Sequence, residues 1–348
     1  MGDDDLLLAD RSIPFGSGII GVCDICGKRQ AVIVLQKERF KLCVLDFLNK
    51  TWINSTTTPG RPLPPYRSER VWFPSDSSST GQAQGILLTP TKQTKHPGVL
   101  VTPDVYGLTT MVLDAGIRLA REGYEVILPD VSKLDGLSPM DHLFLRADAR
   151  VRGGIRVESP RVRKLVRLYN DALAYLRTRP LVDPTKIAVF GASYGASLGL
   201  AVAGENPGLS AVAVAFPLPV APVGFLRLLN APVLLVLGGR DGRARRAQQQ
   251  LESELRPAGT PLETQVYPPA GHLFLARDVR GYDLASAESA WTKTLAFLRD
   301  RLVPPPPKPP PPKPTPAGPP SAPPAPVANV TRPATAAPAP ATPGPTPG

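Results

Sequence analysis

The stretch VFGASYGAS, residues 189–197, sets Ser193 between Gly191 and Gly195, two residues from each. Residues 186–190 before it form a short apolar run of strand character, and residues 196–204 after it read as the start of an apolar helix. A strand that turns sharply into a helix at a serine is a nucleophile elbow. The turn forces strained backbone angles, the glycines let the chains pack closely, and the hydroxyl is lifted above the sheet edge. The same spelling also fits a glycine-rich turn that binds nothing, or a short phosphate loop, so the surrounding chain has to decide.

At 348 residues the chain has room for one large or two small domains, and its composition is uneven. From Pro304 onward it is dominated by Pro, Ala, Thr and Gly, with Lys308, Lys313 and Arg332 and no aromatic or acidic residue. Such a segment cannot bury enough apolar area to offset its ordering entropy, so 304–348 is expected to be a disordered tail of polyproline II character, a spacer or a docking segment for a protein partner. Residues 57–68 read as a proline-rich linker, 1–20 as a flexible N-terminus, 21–56 as a small module, and 69–303 as the main domain.

The opening MGDDDLLLAD is neither a secretory signal nor a membrane anchor, and Leu6 stands where a myristoylation signal needs Ser or Thr. No uninterrupted apolar run reaches about 18 residues. The expectation is a soluble, cytoplasmic protein with no membrane partner. Three cysteines, all within 23–43, argue against a disulfide framework, and the sequons at Asn54 and Asn329 read as chance matches. The net charge of +11 is concentrated: between Arg146 and Arg167 eight basic residues face only Asp148 and Glu158. This is either a solvated helix face beside a surface loop or a means of attracting anionic substrates or a polyanion. Nucleic acid is not an expected partner.

Across the main domain, apolar runs expected as strands (83–88, 98–102, 125–128, 186–190, 211–215, 232–237, 263–267) alternate with expected helices (110–121, 159–178, 194–204, 244–256, 283–301). This order predicts an α/β fold, a doubly wound, mostly parallel sheet covered on both faces, with ligands at the carboxyl ends of the strands.

A serine hydroxyl needs a base to become a nucleophile, and the base needs an orienting carboxylate. In the α/β-hydrolase order of nucleophile, acid and histidine, His96 and His142 fall before Ser193, which leaves His272 of the chain's three histidines. It lies in YPPAGHLFLARD, a Gly-containing loop after an expected strand. The acid must sit between the two at a strand's carboxyl end. Asp241, after PVLLVLGGR, meets both conditions, whereas Glu205, Glu252, Glu254 and Glu263 fall in expected helices or at the wrong strand end. The backbone N–H groups of Tyr194 and Val105 would then hold the developing oxyanion.

GVLVTPDVYGLTTMVLDAGIRLAREGYEVILPDV, then VDPTKIAVFGASYGASLGLAVA, PVLLVLGGRDG and YPPAGHLFLAR together resemble the dienelactone hydrolase family of α/β-hydrolases over about 70–302. The resemblance implies one α/β-hydrolase domain that opens carboxylic esters or lactones without a catalytic cofactor. Founding members use a cysteine nucleophile, and Ser193 makes general esterase chemistry as expected as dienelactone opening. They also place a glutamate where this chain has Asp104, which either bonds Ser193 or begins the turn into the 110–121 helix. Their substrate carboxylate is bound through arginines. Arg277, one residue beyond the usual spacing after the histidine, is the nearest match, and Tyr106 is a second substrate-binding candidate. Arg240, Arg243, Arg245 and Arg246 crowd the strand end that carries Asp241. The competing readings are a peptidase or acyltransferase on the same fold, and an interaction protein that uses its N-terminal module and tail.

That module reads Cys23-Asp24-Ile25-Cys26, then sixteen residues, then Cys43-Val44-Leu45-Asp46, with QAVIVLQ and RFKLC as short strands between the pairs. The spacing matches a zinc ribbon whose fourth cysteine is replaced by Asp46, a carboxylate zinc accepts. The alternative is a degenerate ribbon that folds without metal. A structural Zn²⁺ would compensate for the small core of such a module. Elemental analysis of protein purified without a metal-affinity tag is expected to find about one zinc per chain. A content far below that, with all three cysteines open to a thiol reagent, rules the site out.

Overall fold

The computed structural model describes residues 11–12, 33–35, 40–42, 44, 48 and 64–303. Cys23, Cys26, Cys43 and Asp46, and the 304–348 tail, lie outside the described residues. Strands β1 (Arg11–Ser12), β2 (Ile33–Leu35) and β3 (Phe40–Leu42) pair antiparallel in that order. The last two fall inside the QAVIVLQ and RFKLC runs. Leu42 and Leu48 are fully buried, and the Leu48 carbonyl accepts a hydrogen bond from the Tyr66 hydroxyl at 3.2 Å.

The main domain is built on an eight-stranded sheet among the described residues. Its strands are β4 (Tyr66–Pro74), β5 (Gln82–Pro90), β6 (His96–Thr102), β7 (Glu125–Pro129), β9 (Val182–Ala192), β10 (Ala211–Ala215), β12 (Val233–Gly238) and β13 (Leu262–Tyr267). Two short strands, β8 (Ile155–Arg156) and β11 (Val220–Ala221), pair with each other apart from it. The order across the sheet is β13-β12-β10-β9-β6-β7-β5-β4; β5 runs antiparallel to β4 and β7, and every other neighbouring pair is parallel. Strands β6, β7, β10 and β12 are buried along their whole length, which is why they read as unbroken apolar runs rather than alternating ones.

Helices α1 (Thr110–Arg121), α2 (Pro139–Arg152), α3 (Pro160–Arg177), α4 (Tyr194–Glu205), α5 (Gly242–Ala258) and α6 (Leu284–Leu302) complete the domain. Successive strand residues point to opposite faces, and β9 shows what covers each. Phe190 packs on Trp291 of α6, ring centroids 5.0 Å apart. Val189, one residue earlier, lies against Gly199 of α4. On the first face α1 joins α6 through the Arg118–Glu288 ion pair, and on the second α3 joins α4 through Arg163–Glu205.

The short strands β1, β8 and β11 were not expected from sequence, and neither were strand β4 and helix α2. Strand β4 takes in Tyr66, Arg67 and Ser68, residues assigned above to the linker, and its charged residues mask a strand whose buried positions are Tyr66, Ser68, Val71 and Phe73. Helix α2 falls in a segment for which no helix was expected. It begins on a capping box, in which Ser138 and Asp141 exchange side-chain-to-backbone hydrogen bonds, with Pro139 in the first turn.

The elbow is held by close approach. A Cβ at Gly195 would lie 2.2 Å from the Thr102 carbonyl oxygen, and one at Gly191 would lie 2.4 Å from Thr102 Oγ1 and 2.6 Å from the Gly195 carbonyl. Alanine favours a helix interior over glycine by about 1 kcal/mol. The backbone clash at Gly195 exceeds that gain, so Gly195→Ala is expected to destabilise by about 3 kcal/mol. Gly208→Ala, where a Cβ meets nothing within 4 Å, should stay within about 0.5 kcal/mol of the parent. Denaturant unfolding measures both, and equal midpoints for Gly195→Ala and the parent would refute the packing account.

Candidate active site

The carboxyl ends of parallel strands β6, β9, β12 and β13 each supply one part of the site. Ser193 follows β9 and immediately precedes α4, with φ 56° and ψ −126°. A positive φ at a non-glycine residue is strained and needs support from its surroundings. The Ser193 N–H donates to the Ala215 carbonyl at 2.9 Å, and its own carbonyl accepts from the Ala196 N–H at 3.1 Å. Thr102, the last residue of β6, donates from Oγ1 to the Gly195 carbonyl at 2.8 Å and so ties the strand end to the first turn of α4.

His272 lies in the loop after β13. Its Nε2 is 3.4 Å from Ser193 Oγ, and its Nδ1 is 2.5 Å from Asp241 Oδ2. Asp241 follows β12, is buried, and uses its other oxygen to accept the N–H groups of Arg243 and Ala244 at 3.1 and 3.2 Å, capping α5. Burial opposes ionisation of this carboxyl, but the hydrogen bond and charge of His272, with the two backbone donors, outweigh it and hold Asp241 below its ordinary value. The two loops are joined by backbone hydrogen bonds, Gly239 N–H to the Tyr267 carbonyl at 2.8 Å and Arg240 N–H to the Ala270 carbonyl at 3.0 Å. A Cβ at Gly238 would strike the Gly271 carbonyl at 2.5 Å, so this contact also depends on glycine. The Phe216 ring meets the imidazole of His272 edge-on, with centroids 5.3 Å apart. Sequence reasoning missed Phe216; its positive φ of 41° after β10 is a structural signal that the residue pattern does not carry.

The loop after β6 forms the facing wall. Tyr169 donates its hydroxyl to the Pro103 carbonyl at 2.7 Å and fixes the start of the loop. Asp104 is buried, and its Oδ1 accepts the Tyr106 N–H at 2.7 Å while its carbonyl accepts the Gly107 N–H at 3.0 Å. Of the two expectations for Asp104, the turn is therefore the observed one, and the hydrogen-bonding partner of Ser193 Oγ is His272. Val105 is buried beside it, and Tyr194 is the first residue of α4, a position whose N–H has no carbonyl one turn earlier in the helix. Arg146 of α2 lies over the Tyr106 ring at 4.7 Å. Neither α2 nor this contact was read from the sequence, although Arg146 opens the basic run. Arg277 lies over Tyr282 in its own loop at 5.8 Å, next to Asp278, which accepts a hydrogen bond from Thr110.

The model of the family described as "Dienelactone hydrolase family" matches residues 83–302. The "Putative carboxymethylenebutenolidase" of Escherichia coli strain K12 is 29% identical over 213 residues, 58% of this chain and 76% of that protein. The "Probable 2-oxo-3-(5-oxofuran-2-ylidene)propanoate lactonase" of Bradyrhizobium sp. is 26% identical over 245 residues, 64% of this chain and 92% of that protein. A crystal structure titled "Putative Dienelactone Hydrolase" from Klebsiella pneumoniae subsp. pneumoniae MGH 78578 superposes with a TM-score of 0.54 at 22% identity, over 66% of this chain and 98% of that one. At that identity the likeness speaks for the fold.

Burial pushes the Asp104 carboxyl up, Arg146 partly offsets this, Asp278 adds to it, and the result is about 7. A carboxyl raised in the folded state binds more protons folded than unfolded between its two values. Its burial therefore costs most above pH 7, and the cost is relieved as pH falls through 7 towards the unfolded value. Asp104→Asn keeps the oxygen that accepts from Tyr106 and removes the charge. The melting temperature of this variant minus that of the parent is expected to rise between pH 5 and pH 8; a constant difference across that window would place the titration of Asp104 elsewhere.

Proposed function

Since the chain belongs to the dienelactone hydrolase family and is an ester or lactone hydrolase, we propose that it acts through Ser193, His272 and Asp241 by way of an acyl-enzyme. The observation that carries this reading is the continuous path from Ser193 Oγ through the two ring nitrogens of His272 to Asp241 Oδ2. Ser193 Oγ attacks the carbonyl carbon while His272 Nε2 takes its proton, and Asp241, held ionised, stabilises the imidazolium that forms. The separation of 3.4 Å between Oγ and Nε2 is that of a resting site, which tightens on binding substrate. The N–H groups of Tyr194 and Val105 receive the oxyanion. His272 then returns the proton to the departing alkoxide, and a water deprotonated by the same nitrogen releases the acid from Ser193. Without the acyl-enzyme, the same residues would have to activate water directly.

The substrate in this reading carries an anionic group near the scissile carbonyl. Two observations support it: Arg146 is stacked on Tyr106 at the facing wall, and the Bradyrhizobium relative is named for a lactone that bears a propanoate. Arg277 is the second arginine of this proposal.

A fluorophosphonate probe is expected to label the parent and not Ser193→Ala. Turnover of p-nitrophenyl butyrate should fall by about 10³-fold or more in Ser193→Ala and in His272→Ala, with circular dichroism unchanged. Retained turnover in Ser193→Ala overturns the serine mechanism.

A further inference from the structure

Helix α2 turns an apolar stripe towards solvent. With 3.6 residues per turn, Leu145 and Ala149 share the inward side and are buried. On the opposite side lie Met140, Leu143, Phe144 and Val151, exposed by 55%, 57%, 54% and 86%, with exposed Ala147 between them. The steps from 140 to 143, 144, 147 and 151 are those by which a helix buries one face. Here the inward face has its core contacts already, and a second apolar face is left over. Single exposed apolar residues are ordinary on any protein, whereas a contiguous stripe marks a contact surface.

Charge identifies the occupant. Arg150 is exposed beside the stripe and Arg156 just beyond the helix, within the run that carries eight basic residues against two acidic ones. The acids of α2 are already engaged, Asp148 by Arg152 and Asp141 by Arg161. A second copy of the chain would bring the same positive charge to this face and be repelled. An extended anionic surface would be attracted, and long arginine side chains can reach its head groups while their neighbours enter the apolar layer. Lipids are also esters, the class of compound this family hydrolyses, and α2 borders the candidate site through Arg146 on Tyr106.

We propose that α2 docks the protein on an anionic lipid surface, with Met140, Leu143, Phe144 and Val151 entering the interface and Arg150 and Arg156 meeting lipid phosphates. The sequence alone led to the opposite expectation, because no apolar run of about 18 residues was read from it. The contact proposed is peripheral; no helix among the described residues is long and apolar enough to cross a membrane. The proposal does not depend on the chemistry assigned to Ser193, and Ser193→Ala should dock as the parent does.

Co-flotation of the full chain with vesicles decides it. The parent is expected to float with phosphatidylcholine vesicles containing phosphatidylglycerol, to stay behind with pure phosphatidylcholine, and to be released by high salt. Leu143→Ser/Phe144→Ser should lower binding by about tenfold or more, and Arg150→Glu should lower it without altering the apolar stripe. Both variants should hydrolyse soluble p-nitrophenyl butyrate at the parent's rate, which verifies their fold. Absence of the parent from phosphatidylglycerol vesicles overturns the proposal, as does equal binding by parent and variants. So does a parent dimer that light scattering shows to dissociate in Leu143→Ser/Phe144→Ser, because the stripe would then belong to a second copy.

Discussion

The contact on which the rest of the site depends is that of the Thr102 carbonyl against Gly195, where no side-chain atom fits between the end of β6 and the first turn of α4. Because the two backbones meet there, α4 starts directly beneath the β6 loop. The turn that joins β9 to α4 has no room to relax, and Ser193 takes up the resulting positive φ. The strain is balanced by ordinary interactions: the bond from the Ser193 N–H to β10, the Thr102 hydroxyl on the Gly195 carbonyl, and the fully buried strands β6 and β10 on either side of β9. Strand packing thus becomes a precisely placed hydroxyl.

Two buried carboxyls of the site are shifted in opposite directions. Asp241 receives two backbone N–H groups and the imidazole, and stays ionised. Asp104 receives one backbone N–H, with Arg146 acting on it from across the loop, and burial prevails. Deeper burial of Asp104 and the larger number of donors aimed at Asp241 together separate the two. One suits a fixed negative charge beside a base; the other suits a group that closes a turn without adding charge to the wall that faces Ser193.

Much of this was legible in the residues. Apolar runs gave the buried strands, since a strand covered on both faces has no polar side to interrupt it, and chain order together with position at a strand's carboxyl end pointed to His272, which meets Ser193, and to Asp241, which meets His272. What escaped follows from the same physics. Strand β4 lies at the sheet edge, where Arg67, Glu69 and Arg70 face water and dilute the pattern. Helix α2 divides its apolar residues between two faces, so its periodicity does not single out one buried side. Asp104 could not be assigned from its position in the chain, because turn and nucleophile contact ask for the same residue type. The place of Arg146 over Tyr106 is a tertiary fact that no local spacing encodes.

The backbone bonds between the loops after β12 and β13 make Asp241 and His272 parts of one body, joined at Gly239–Tyr267 and Arg240–Ala270 and wedged where Gly238 meets Gly271. Insertions that lengthen either loop alone would pull the carboxylate and the imidazole out of register together. For anyone grafting this site onto another scaffold, or reshaping it for a larger substrate, the two loops are a single exchangeable cassette. The wall formed by the β6 loop and α2 can be varied separately.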